Sequence, residues 1–273
     1  MGTTQRMTPG VSHEPNWVDL NKSITHISKT VEKEKELDEN STITPVNEAK
    51  QYKLISDRRK AHLSSTFRNL VKTGGGRSNI SGGKSKSIGR AGLKSAGRIT
   101  GFFTSVSANG LEKTLIEVGF GSLNGKTFQE VLDFLLVFSS ESNEGMDETA
   151  ANNASCEIMK ELAVLAGNDL NNFEILIKKN VDESGLADIL CRFWGLYIFE
   201  HLSQRFEEKV KQQKGVEIGK ETFKIIKEDI LGQIKVLNKK RGVVKINWKS
   251  QAGKKEIENI FDSVIKIICN EDN

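Results

Sequence analysis

No proline follows Pro45 anywhere in the 273 residues of this chain. Proline removes a backbone donor and kinks or ends a helix, so a long proline-free stretch with apolar residues every three to four positions can run as one helix after another. That recurrence is sustained from residue 111 onward. Thr127-Phe128-Gln129-Glu130 has the capping-box spacing that opens a helix, and Phe128, Val131, Leu132, Leu135 and Leu136 then share a side. Further helices are expected over 147–166 (Ile158, Leu162, Leu165), 171–179, 186–212, 220–238 (Phe223, Ile226, Ile230, Ile234, Leu237) and 254–269. The longest, 186–212, places Leu190, Phe193, Trp194, Tyr197, Ile198 and Leu202 on one stripe, and its aromatic cluster reads as core rather than as a ligand box. Residues 243–248, VVKINW, alternate weakly and read as a short strand or an extended link. Stripes of this kind bury a core by packing on one another, so the expected fold is mainly α, with a helical bundle-like domain over residues 111–273.

The chain ahead of that domain has another character. All three prolines lie in residues 1–55, where mixed charge in VEKEKELDENST and scattered apolar residues lead to the expectation of a disordered tail. One island, EPNWVDL, carries Trp17, which reads either as a short docking element or as a side chain packed on the protein's own body. Residues 56–72 form a basic amphipathic helix on Leu63, Phe67, Leu70 and Val71, ended by the glycines at 74–76. Residues 56–110 as a whole read as a basic, Gly/Lys/Arg-rich, partner-binding segment.

Charge sets this segment apart. The net charge is +4, yet residues 58–111 contain eleven Lys or Arg and no Asp or Glu, which leaves the remainder acidic. Within it Gly83-Lys84-Ser85 has the last three characters of a phosphate-binding loop. The pattern requires glycine at position 78, which is Ser78, and a buried strand before the loop, where FRNLVKT has a helical period. An ATP-hydrolysing loop is therefore not expected. Lys86, Arg90, Lys94 and Arg98 are spaced by four and make one basic ridge if helical. Small residues interleave them, including Gly89, Gly92, Gly97 and Gly101, and each glycine costs a helix about 1 kcal/mol relative to alanine. Three readings of the segment stand: a solvated linker, a sequence-tolerant binder of nucleic acid or another polyanion, and a recognition segment that folds against a protein partner. Little apolar area faces the ridge, so no membrane association is expected.

Cys156, Cys191 and Cys269 are far apart in apolar helical contexts and read as reduced, buried thiols. His13, His26, His62 and His201 show no metal-ligand spacing, so no metal site is expected, and His201 reads as a core histidine. No catalytic set is legible, and the chain reads as a cytoplasmic non-enzyme without a cofactor. At the start, the small Gly2 favours removal of Met1, which leaves a Gly2 amine that other enzymes can use as a nucleophile. Arg6 departs from the myristoylation pattern, which wants Ser or Thr there.

Four stretches in order, MGTT, PNWVD, GGRSNISGGKSKSIGRAGLKSAGR and GFFTSVSANGLEKTLIEVGFGSLNGKTFQEVLDFLLVF, resemble the QatB family of the four-gene Qat anti-phage defence system. The resemblance runs to about residue 138 and more loosely through the helical remainder. It implies a protein that acts beside an ATPase, a TatD-like nuclease and QatC, a QueC-like enzyme of 7-deazaguanine chemistry. It also implies a complex with the QueC-like enzyme and an N-terminal glycine, here Gly2, as acceptor of a 7-deazaguanine-type modification. On this reading Trp17, Lys84, Lys86, Arg90, Lys94 and Arg98 are the candidate partner- or anion-binding residues. The alternative is a nucleic-acid-binding accessory protein that uses residues 58–98.

Overall fold

A computed structural model describes residues 15–39, 45–139, 145–182, 185–240 and 246–270. Among these residues the chain is all helix: α1 (Pro15–Glu39), α2 (Pro45–Thr73), α3 (Arg77–Ser81), α4 (Arg90–Asn109), α5 (Leu111–Glu117), α6 (Phe128–Ser139), α7 (Met146–Leu165), α8 (Leu170–Asp182), α9 (Gly185–Lys214), α10 (Val216–Lys240) and α11 (Gln251–Ile268).

α9 is the axis of the molecule. From Leu190 to Leu202 it is apolar on nearly every side, which a helix can tolerate only when neighbours surround it. They do: α7, α8, α10, α11, α4 and α1 all pack on it. Arg192 pairs with Glu161 at one end of α7, and Tyr197 and His201 reach Asp147 at the other, so α7 runs antiparallel to α9. The Trp194 ring stacks on Phe261 of α11 with centroids 3.7 Å apart. One apolar core links side chains from Leu20 in α1 to Cys269 just past α11.

The capping box expected at Thr127 is present. The Thr127 N–H donates to Glu130 Oε2 at 2.8 Å, and the Glu130 N–H donates to Thr127 Oγ1 at 3.2 Å. Cys191 and Cys269 are buried, Cys156 is half-buried, and none of the three is in a disulfide. Residues 246–248 of the weakly alternating stretch are not helical, and 243–245 lie outside the described residues.

One expectation needs correction, and one of the open readings falls. Residues 15–39 and 45–55, expected to be disordered, are helical, and α1 packs against α2 in the antiparallel sense that the His26–His62 and Thr30–Arg59 contacts define. The cause is a sparse but regular stripe: Leu20, Ile24, Ile27 and Val31 are all buried. The basic segment is not a solvated linker either. α4 buries Ala91, Ala96, Ile99, Phe102, Phe103 and Val106 within the common core.

Candidate functional site

The glycine-rich stretch at 74–89 is a helix-to-helix connection. Its glycines end α2, and α3 and a short loop follow before α4 opens. In a phosphate-binding loop the backbone N–H groups point at the ligand. Here they are engaged within the loop: Gly82 donates to Ser78 O, Gly83 to Ile80 O, and both Lys84 and Ser85 to Asn79 O at 2.8 and 3.0 Å. The helix N-terminus behind them is also filled. Asp147, from the first turn of α7, accepts from the Gly89 N–H at 3.2 Å and the Ala91 N–H at 2.8 Å. A carboxylate of the chain itself sits where a bound anion would benefit from the helix dipole.

Asp147 is the centre of a buried polar cluster. The Tyr197 hydroxyl donates to it, and His201 Nε2 lies 3.0 Å from Oδ1. A carboxylate only accepts, so His201 carries its proton on Nε2. Burial opposes the charge of Asp147, but the hydrogen bonds from His201, Tyr197 and Ala91 outweigh it and hold its carboxyl down at about 2. Burial pushes His201 below its ordinary value against the pull of Asp147, so the imidazole is neutral at pH 7. Burial also raises the Tyr197 phenol, with the Asp147 charge adding to it.

The cluster continues to the start of the chain. Burial lowers Arg205, one turn after His201, to about 10, and its guanidinium lies over the Trp17 ring, 4.1 Å from the centroid. Trp17 also meets Phe206, centroids 6.3 Å apart. Of the two readings of Trp17, the geometry is that of packing on the protein's own body. It fixes the root of α1 beside the turn of α9 that holds the start of α4.

The remaining candidates fall into two groups. Lys84, Lys86, Arg90 and Lys94 are exposed and Arg98 is half-exposed. Arg90, Lys94 and Arg98 form a ridge on α4, whereas Lys86 precedes the helix and is not part of that ridge. Gly2 lies outside the described residues. Asp147 and Arg205 were not singled out from sequence and Tyr197 was read only as part of the core stripe; the four-residue spacings Tyr197–His201–Arg205 alone hinted that the three share a side of one helix. His201 was expected as a core histidine, and it is fully buried.

A separate open groove of about 320 Å³ lies between α1 and α2, lined by Asp19, Lys22, Ser23, His26, His62, Ser65 and Asn69. Its two imidazoles are 4.9 Å apart, and burial, with the neighbouring His26 and Arg58, lowers His62. No group of three or more metal-ligating side chains occurs among the described residues. None of their helices is long and apolar enough to cross a membrane.

Fold and site together define an all-helical protein organised around a central α9, with one basic helix locked beside it by a half-buried carboxylate. Residues 82–268 match the model of the QatB family, described as Qat anti-phage system associated protein QatB. The chain belongs to that family and is a component of the Qat anti-phage defence system. No curated protein and no solved structure matches it.

Proposed function

We propose that this chain is a non-enzymatic component of the Qat system that binds a QueC-like partner enzyme, QatC, and serves as its substrate through Gly2. The observation that carries the reading is the family match, which spans α4 to α11 and places the chain in a multi-component defence system. Chemistry supplies the rest. The partner activates the carboxylate of a 7-deazapurine at the expense of ATP. The neutral Gly2 amine attacks the activated carbonyl, an amide bond forms, and the leaving group and a proton depart.

Tethering favours this step. Trp17 holds the root of α1 on α9, and fourteen residues, fully extended, span at most about 50 Å. Docking of the body on the partner would hold the Gly2 amine at an effective concentration of roughly millimolar. The ATPase and the TatD-like nuclease of the system are further partners on this reading, and the protein works in the cytoplasm.

Intact mass spectrometry of the chain co-expressed with the QueC-like enzyme tests the proposal. The expected result is a mass increase that maps to Gly2 and is absent when the partner is omitted. A partner-bound chain with a free Gly2 amine would rule the acceptor role out.

A further inference from the structure

Four glycines open α4 or lie within it, and the chain's own packing accounts for two of them. Gly89 has φ of 113°, a conformation that side chains resist. Gly92 lies against the core: a methyl group there would sit 2.6 Å from Trp194 and 2.9 Å from Tyr197. Gly97 and Gly101 differ. Both are exposed, and a methyl group on either would meet nothing within 4 Å. Each costs the helix about 1 kcal/mol relative to alanine, and no contact among the described residues offsets it.

Both belong to one stripe. Arg90, Lys94, Gly97, Gly101 and Ala108 are exposed and follow the helical repeat along the outer side of α4, with Thr104 and Ser105 half-exposed at its edge. The first half is cationic, and past Arg98 the stripe holds nothing larger than threonine. At one border Phe102 packs on Phe138, centroids 6.1 Å apart, and the neighbouring Val137 is 74% exposed. The face thus combines positive charge, a bare backbone surface and an apolar edge.

We propose that this outer face of α4 docks an acidic amphipathic helix of a protein partner. Acidic side chains would meet Arg90 and Lys94, as the acid-free run from 58 to 111 favours. The partner backbone would close on Gly97 and Gly101, and its apolar residues would cover Val137 and Phe138. A nucleic-acid duplex would use the cations, but it has no need of bare backbone or of an apolar flank. The identity of the partner rests on the reading above, in which it is the QueC-like enzyme.

The test is calorimetric binding of the full chain to purified QueC-like enzyme, with melting temperature and the intact mass of Gly2 read on the same samples. Gly97→Gln with Gly101→Gln is expected to keep or raise the melting temperature, because glutamine is the better helix former, and to weaken Kd at least tenfold. Arg90→Glu with Lys94→Glu is expected to weaken binding comparably, and more so at low salt. Unchanged affinity in the double-glycine variant, or no binding by the unaltered chain, would overturn the docking face. So would binding of a random 30-base-pair duplex that Arg90→Ala with Lys94→Ala abolishes and the glycine replacements leave intact. The mass readout separates the two readings. Tight binding with an unmodified Gly2 removes the acceptor role alone, and unchanged modification and affinity in the glycine variant remove the docking face alone.

Discussion

At Asp147, one carboxylate does three structural tasks: it caps α4 through Gly89 and Ala91, orients His201, and accepts from Tyr197. Asparagine has nearly the same shape but turns half of the carboxylate into a donor that faces other donors. Asp147→Asn is therefore expected to cost about 2–3 kcal/mol, the range for a lost charge-assisted bond and an unsatisfied donor. Urea unfolding should show it as a lower midpoint with an unchanged slope. The pH dependence is specific. The folded carboxyl titrates at about 2 and the unfolded one near 3.8, so the unfolded chain binds the proton first. The contribution, about 2 kcal/mol, is complete above pH 3.8 and is lost as pH falls toward 2. His201 acts in the same direction at higher pH: its lowered value means stability also falls as pH drops below 6.5. Replacement of Asp147 should flatten the loss between pH 4 and 2, and an unchanged acid limb would show that Asp147 contributes nothing there.

At the level of elements, α4 shows why glycines in one helix are not equivalent. Gly92→Ala forces a methyl group onto Trp194 and Tyr197 and is expected to destabilise by about 1–3 kcal/mol. Gly97→Ala adds a methyl group in open space and is expected to stabilise by up to about 1 kcal/mol. Paired urea titrations should move the two midpoints in opposite directions, and a shift in the same direction would contradict the packing of α4. The four-residue spacing of its basic residues allows α4 to be a helix, but it does not say which of its glycines face the core. Most helices after α5 were legible because aliphatic stripes and the capping box at Thr127 act locally, within a few residues. α1 was not. Its core-facing side dilutes Leu20, Ile24 and Ile27 with the buried Ser23, Ser28 and Thr30. Those hydroxyls bond carbonyls three or four residues back, which lets polar residues pass as core. The candidate site was legible only as charge: the basic residues of α4 stand out in the sequence. The Asp147 cluster joins residues about fifty positions apart, and no local spacing reports that.

For the whole molecule, the family match and the folding unit do not coincide. The match begins at residue 82, inside the loop before α4, whereas the core begins at Leu20. α1 lies along α2 and touches α9 and α10, and it buries Leu20, Ile24, Ile27 and Val31. Lys214, at the far end of α9, pairs with Glu32 at 3.0 Å. Removal of residues 1–44 would expose the α2 side chains Leu63, Phe67 and Leu70, which share that core, and delete the four apolar residues. At about 1.5–3 kcal/mol per buried apolar side chain, the four alone contribute roughly 6–12 kcal/mol. That is comparable to the whole stability of an ordinary domain, about 5–15 kcal/mol. A chain that starts at Pro45 is therefore expected to keep helical circular dichroism but to lose its sharp urea transition and to bind a hydrophobic dye. A dispensable tail predicts the opposite: a cooperative transition at the midpoint of the full chain. The outcome bears on function too, because a shortened chain that fails to modify phage resistance could fail through lost folding rather than through lost Gly2. Replacement of Gly2 in the full-length chain avoids that confusion, since every core residue stays in place.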